Sequence, residues 1–105
     1  MDARAVVAKR LKEARLRAGM SQKQLGIKAG FDEFSASPRI NQYERGKHTP
    51  DLSTVERLGK VLKVPAPYFY ARDDSMAKAI LLFGSLPPKT QQRATVTLEA
   101  MITQH

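Results

Sequence analysis

The stretch from Ser37 to Glu44 reads Ser-Pro-Arg-Ile-Asn-Gln-Tyr-Glu and concentrates side chains that can form paired hydrogen bonds. Arginine can donate two hydrogen bonds to guanine O6 and N7, and glutamine or asparagine can pair with adenine N6 and N7. Arg39, Asn41 and Gln42 therefore have the chemistry needed to contact the edges of bases. Arg39 and Asn41 could instead contact only phosphate or water.

A helical wheel separates this stretch into two faces. At 100° per residue, Ile40, Tyr43 and Glu44 cluster on one side, which is expected to pack. The opposite side and its flanks are expected to face a partner, with Pro38 able to offer only apolar contact to a thymine methyl group. The predicted base-contacting residues are Ser37, Pro38, Arg39, Asn41 and Gln42.

A second set of residues could bind phosphate. Ser21 and Gln24 form a capping-box pattern that predicts the start of a helix. The unpaired N–H groups and the dipole at such a start favour an anion. Basic residues just past the Ser37–Glu44 stretch could hold the other flank of the same partner. The predicted phosphate-binding residues are Ser21, Gln22, Lys23, Arg45 and Lys47, with Arg10 and Arg17 as weaker candidates.

The elements that must position these groups are helices, because apolar residues recur at spacings of three and four throughout. The predicted helices cover residues 6–18, ended by Gly19, and 22–29, ended by Gly30. A connector with apolar anchors at Phe31 and Phe34 leads to a third helix that begins near Pro38 and ends at Gly46. Its predicted N-cap is Ser37, with Ser35 as the second choice.

Four more helices are predicted in the rest of the chain. Asp51 is expected to cap a helix over residues 52–62, whose buried face includes Leu52, and a short fifth helix follows around residues 68–70. Ser75 is expected to cap the next helix, and residues 89–103 form the last one. The sequence thus predicts an all-α protein with one domain over residues 1–71 and a helical hairpin over residues 72–105.

Composition excludes several classes of protein. The chain of 105 residues has no cysteine, and His48 and His105 cannot make a metal site alone, so neither a metal nor a cofactor is expected. No catalytic residues are expected either, because no paired acids, nucleophile with a base, or glycine-rich phosphate loop is present. No segment has the length of apolar sequence that a signal peptide or membrane span needs. We therefore expect a soluble, cytoplasmic protein that is not an enzyme.

The net charge is +8, of which +6 lies in residues 1–30. Such asymmetry indicates a polyanionic partner, which could be nucleic acid or an anionic membrane surface. A merely solvated basic helix face would give the same count.

Four dispersed segments carry a resemblance that covers about half of the chain. They are Leu11-Lys-Glu-Ala-Arg15, Gly19-Met-Ser-Gln-Lys-Gln-Leu25, Ile40-Asn-Gln-Tyr-Glu-Arg-Gly46 and Pro50-Asp-Leu52. In this order they resemble the Cro and phage-repressor (XRE-type) helix-turn-helix domain. The resemblance implies a five-helix, lambda-repressor-like fold that binds double-stranded DNA, with the third helix in the major groove. It also supports Gln22 as a phosphate contact.

The resemblance implies a structural ion pair between Arg15 and Glu44.

One feature departs from the family pattern, because the segment between Gly30 and Ile40 is about four residues longer than usual. This longer connector could be an extra apolar clasp under the third helix, or it could alter how that helix is presented to DNA.

The function expected from these patterns is a sequence-specific repressor that binds an inverted-repeat operator as a homodimer. The C-terminal hairpin is expected to dimerise through Ile80, Phe83, Leu98 and Met101, unless it only closes the core around Tyr68 and Phe69. An antitoxin that represses its own operon and binds a small toxin protein through its C-terminal helices is the first alternative. A protein-interaction or membrane-surface module that uses residues 4–17 as a basic amphipathic helix is the second.

Overall fold

The computed structural model describes residues 2–104, so Met1 and His105 lie outside the described residues. Within that range every regular element is helical, in agreement with the all-α prediction. The α-helices are α1 (Ala3–Arg17), α2 (Gln22–Lys28), α3 (Ala36–Glu44), α4 (Leu52–Leu62), α5 (Asp74–Gly84) and α6 (Pro88–Thr103). A 3₁₀ helix, Ala66–Tyr70, joins α4 to α5.

The first three helices end in the same way. The φ values are 70° at Gly19, 97° at Gly30 and 72° at Gly46. These are left-handed conformations, which are unfavourable for a residue that has a Cβ atom. The amides that follow turn back onto carbonyls of the last turn, as the Lys47 N–H does to the Gln42 oxygen at 3.0 Å. The three glycine stops predicted from the sequence are therefore confirmed.

The start of α3 differs from the prediction. Its N-cap is Ser35, and Ser37 lies inside the first turn of the helix. The reason is Asp32, whose carboxylate accepts hydrogen bonds from the Phe34 and Ser35 amides at 2.9 and 3.1 Å and from the Ser35 hydroxyl at 2.7 Å. This capped turn begins the helix earlier than Pro38 suggests, and the prediction of Ser37 as N-cap is wrong.

The core lies where α1, α2, α3, α4 and the 3₁₀ helix meet. Tyr68 and Phe69 are each 1% exposed and pack edge to face, with ring centroids 5.6 Å apart. Two apolar residues expected to be buried are not: Phe34 is 89% exposed and Leu52 is 60% exposed. Other fully buried side chains of the core are Leu11, Leu25, Ile40, Val55 and Leu58.

The C-terminal helices behave differently from each other. The N-cap of α5 is Asp73 rather than Ser75, and α5 packs on the core through Ala77, with Ile80 half-buried beside it. In α6 no residue is buried, and every described residue after Ala94 is exposed. The radius of gyration is 15.5 Å, against about 13 Å for a compact chain of about 100 residues. The hairpin therefore closes only near its turn, and the end of α6 projects from the domain.

Candidate nucleic-acid interface

The contact between α2 and α3 is the base on which the candidate site is built. A Cβ atom placed on Gly26 of α2 would lie 2.7 Å from the Ala36 Cβ of α3 and 2.8 Å from the Ala36 carbonyl oxygen. Ala36 itself is completely buried. Because only glycine permits this approach, the two helices cross nearly backbone to backbone and α3 has a fixed position against α2.

The two faces of α3 divide as the helical wheel predicts. Ile40 and Tyr43 are buried, at 0% and 7% exposure. The opposite face lies open to solvent. Its exposed residues are Pro38, Arg39, Gln42 and Arg45, and its half-buried margins are Ser37 and Asn41. The structure thus brings all five predicted base-contacting residues onto one side of one helix.

Arg15 of α1 and Glu44 of α3 form a bidentate ion pair. The Arg15 Nε and Nη2 atoms donate to the two carboxylate oxygens of Glu44 at 2.6 and 2.9 Å, and the two side chains are 11% and 3% exposed. A third donation, from Arg15 Nη1 to the Met20 carbonyl, ties the pair to the start of α2. The hydrogen bonds to Glu44 raise the pKa of Arg15, and burial opposes this rise only in part.

The Gln22 side chain joins the same network. Its amide Nε2 lies 3.3 Å from the Asn41 Oδ1 and 3.2 Å from the Glu44 Oε1. Two residues expected to contact DNA, Gln22 and Asn41, thereby hold α2 and α3 together. In contrast to these two side chains, that of Gln42 has no hydrogen bond to any described residue.

The start of α2 has the predicted capping box. The Ser21 Oγ accepts from the Gln24 N–H at 3.0 Å, and the Gln24 Oε1 accepts from the Ser21 N–H at 2.9 Å. Lys23 is exposed next to this cap, but its Nζ lies 3.7 Å from a carboxylate oxygen of Glu33 in the connector. The longer connector therefore places an acid beside one of the predicted phosphate-binding cations.

The far end of α3 carries the other basic flank. Arg45 and Lys47 are both exposed on either side of Gly46. Since the amide of Lys47 is bonded back to the last turn of α3, the backbone from which its side chain extends is fixed relative to the helix. The predicted phosphate-binding residues thus lie at both ends of the exposed face of α3.

Arg10 has a different place from the one the sequence suggested. Its side chain is 3% exposed and donates to the carbonyl oxygens of Ala71 and Arg72 and to the carboxylates of Glu13 and Asp74. Burial lowers the pKa of Arg10, but the hydrogen bonds to the two carboxylates outweigh it and raise the pKa. A signal existed in the sequence, because residue 10 is three after Val7 and four before Ala14, on the apolar stripe of α1.

Arg17, the other weaker candidate, is also engaged. Its guanidinium carbon lies 5.8 Å from the centroid of the Tyr68 ring, and its Nη2 is 3.3 Å from the Tyr68 hydroxyl. The basic residues of α1 therefore do not form one continuous DNA-facing surface.

The four residues expected to dimerise lie in different environments. Ile80 is half-buried against the core and Phe83 is 38% exposed. Leu98 and Met101 on α6 are 53% and 56% exposed.

Among residues 2–104 no group of three His, Cys, Asp or Glu side chains is arranged to hold a metal ion. No helix in that range combines the length and apolar character needed to cross a membrane.

Two helices in close contact, the second with a buried face and an open polar face, have the arrangement of a helix-turn-helix. The helix-turn-helix family model matches residues 11–69, which is more than half of the chain. The chain belongs to the XRE-type family of helix-turn-helix transcriptional regulators.

Known proteins that resemble the chain include one curated regulator and two solved structures. The HTH-type transcriptional regulator ImmR of Bacillus subtilis (strain 168) is 32% identical over 72 residues, which are 69% of this chain and 54% of ImmR. The chain thus spans about half the length of this curated relative. The crystal structure of the transcriptional regulator BswR matches this chain with a TM-score of 0.84 and 48% sequence identity. The match covers 92% of this chain and 96% of the BswR chain. A hypothetical transcription factor, NHTF from Neisseria, has a TM-score of 0.64 and 27% identity, with 74% and 85% coverage.

Proposed function

We propose that this protein is a repressor that binds an inverted-repeat operator in double-stranded DNA as a homodimer. The observation that carries the proposal is the exposed face of α3, which presents an amide and a guanidinium group while its other face is locked to α1 and α2. Because α3 is already held in place, it can enter the major groove without first being ordered. Binding then costs less conformational entropy, and this favours affinity.

Base reading is assigned first to Gln42. It lies in the middle of the exposed face, and its amide is suited to the N6 and N7 atoms of adenine. Ser37 and Pro38 lie at the N-terminal end of α3, and Arg39 and Asn41 flank the face. We assign the phosphate contacts to Ser21, Gln22 and Lys23 at one end of the site and to Arg45 and Lys47 at the other.

Selection of duplexes from a randomised pool tests this assignment. On the selected duplex, Gln42→Ala should lose about 1 to 3 kcal/mol of binding free energy, with little change on random duplexes. Lys47→Ala should weaken binding to all duplexes and reduce the slope of log K against log salt by about 1. Gln92→Ala, an exposed glutamine on α6, is the matched control and should bind like the unmodified protein. If the unmodified protein selects no sequence, the proposal is wrong.

Dimerisation is assigned to the free end of α6. Most helical stability in proteins comes from packing an apolar face, yet every described residue of α6 after Ala94 is exposed. Their exposed apolar side chains would be shielded by a second copy. These side chains are Val96, Leu98, Met101 and Ile102.

Sedimentation tests the assembly. The unmodified chain should sediment as a dimer, and the double substitution Leu98→Glu with Met101→Glu should sediment as a monomer, since each charge would be buried in the interface. Gln92→Glu adds a charge to the same helix near the turn and should remain dimeric. A monomeric unmodified chain would contradict the homodimer and favour the antitoxin alternative, in which α6 binds a different protein.

A further inference from the structure

The ring of Phe31, at the start of the connector, lies under two guanidinium groups. The Arg39 guanidinium carbon is 4.3 Å from the ring centroid, and that of Arg57 on α4 is 5.5 Å away. Both distances are within the range of about 6 Å in which a cation is attracted to an aromatic face. Phe31 is 7% exposed, so the ring is held by the core while its face supports Arg39.

A second contact restrains the same guanidinium. The Arg39 Nη2 donates to the Tyr43 hydroxyl at 3.2 Å, one helical turn further along α3. The Tyr43 ring is itself next to Phe31, with centroids 6.4 Å apart. Two aromatic residues therefore hold Arg39 at the edge of the exposed face, although the long arginine side chain is exposed.

The backbone fixes where the Phe31 ring begins. The Phe31 N–H donates to the Gly26 carbonyl at 2.9 Å, directly after the left-handed Gly30 that ends α2. On the other side the Asp32 carboxylate closes the turn that leads into α3. The backbone on both sides of the ring is therefore held at the start of the segment that is longer than in the family pattern.

We propose that Phe31 is a specificity-determining positioning residue, which holds the Arg39 guanidinium ready to donate its pair of hydrogen bonds to a guanine edge in the major groove. This inference rests on the proposed function, since it assumes that α3 reads bases. A guanidinium already confined to one region loses less rotational freedom when it binds. Phe31 acts through Arg39 and does not itself contact DNA.

The test uses the full chain, the selected duplex, and a set of duplexes with each base pair changed in turn. Arg39→Ala should lower affinity roughly five- to 150-fold on the selected duplex and abolish the preference at one G·C pair. Phe31→Leu keeps an apolar side chain but removes the aromatic face, and it should lower affinity about two- to fivefold, with the preference weakened at the same pair. The double variant should bind no worse than Arg39→Ala alone.

Two further variants separate positioning from folding. Tyr43→Phe removes only the hydroxyl that accepts from Arg39 and should weaken the same base-pair preference with the fold intact. Phe31→Tyr keeps the aromatic face and should restore the preference. Phe34→Leu is the matched control, because Phe34 belongs to the same connector but is exposed, and this variant should leave the preference unchanged. Circular dichroism verifies that each variant is folded.

The outcomes are distinguishable. Equal losses on all duplexes for Phe31→Leu and Tyr43→Phe, or higher affinity in either variant, would overturn the inference while the proposed function stands. A preference unchanged in both variants would overturn it as well. If the unmodified protein shows no base-pair preference, the proposed function and the inference fail together.

Discussion

Replacing Glu44 by glutamine should destabilise the fold, because it removes the charge from a buried ion pair and changes little else in shape. The carboxylate is 3% exposed and receives two hydrogen bonds from Arg15, at 2.6 and 2.9 Å, and one from Gln22. In the variant the Arg15 guanidinium, only 11% exposed, would face a neutral amide.

The magnitude follows from burial. Breaking one side of a buried ion pair costs about 3 to 5 kcal/mol, whereas an exposed pair contributes about 0 to 1 kcal/mol. Because the glutamine oxygen can still accept one hydrogen bond, we expect a loss near the lower limit, about 3 kcal/mol. For a domain of this size the corresponding fall in Tm is about 10 to 20 °C.

Urea unfolding followed by circular dichroism measures the loss, with Glu33→Gln as the matched control. Glu33 pairs with Lys23 at a distance of 3.7 Å between Oε1 and Nζ, and the Lys23 and Glu33 side chains are 55% and 67% exposed. The loss in the free energy of unfolding should therefore stay below about 1 kcal/mol. If Glu44→Gln cost no more than Glu33→Gln, burial would not determine the strength of these ion pairs, and the structural role given to Glu44 would be refuted.

Two other predictions concern the fold. Gly26→Ala should cost about 1 to 3 kcal/mol in urea unfolding, because the new Cβ would lie 2.7 Å from that of Ala36 and force α2 and α3 apart; an unchanged midpoint would contradict this. Acid should also destabilise the protein. Hydrogen bonds from the Thr54 backbone N–H and from the Ser35 hydroxyl are the main causes that lower the pKa values of Asp51 and Asp32, respectively. Since these folded-state pKa values lie below the unfolded ones, their contribution is present above the unfolded pKa and is lost as pH falls through the folded pKa. The urea midpoint should therefore decrease below about pH 5, and less so in Asp51→Asn; a midpoint equal at pH 5 and pH 3 would refute the assignment.

Local signals account for the parts of the fold that the sequence predicts well. The capping box of Ser21 and the glycine stops at Gly19, Gly30 and Gly46 depend only on residues within one turn, so their consequences can be worked out from neighbouring letters. The two faces of α3 likewise follow from helical periodicity. These elements were sufficient to place the exposed polar face.

The errors concern apolar residues whose burial helical periodicity does not decide. The burial of Phe31 and the exposure of Phe34 depend on the turn that Asp32 closes, and the apolar character of the two residues is the same. Leu52 borders an open surface pocket with residues of the 3₁₀ helix and of α5, which leave it exposed. Neither arrangement is encoded in the helical spacing of apolar residues. The sequence therefore predicts that Phe31, Phe34 and Leu52 all belong to the core.

The basic residues of α1 show why a charge count does not map a binding surface. Arginine combines an apolar stem with five donors, so it can lie in a helix face that packs and still satisfy its charge. Arg15 connects α1 to α3, and Arg10 connects α1 to the residues that begin α5. At a rise of about 1.5 Å per residue these two anchors are only about 7.5 Å apart along one rigid helix. The helix α1 therefore joins the packed face of α3 to the segment that leads to α6, and in the proposed dimer it would contribute to the distance between the two copies of α3 and so to the spacing of the half-sites they fit.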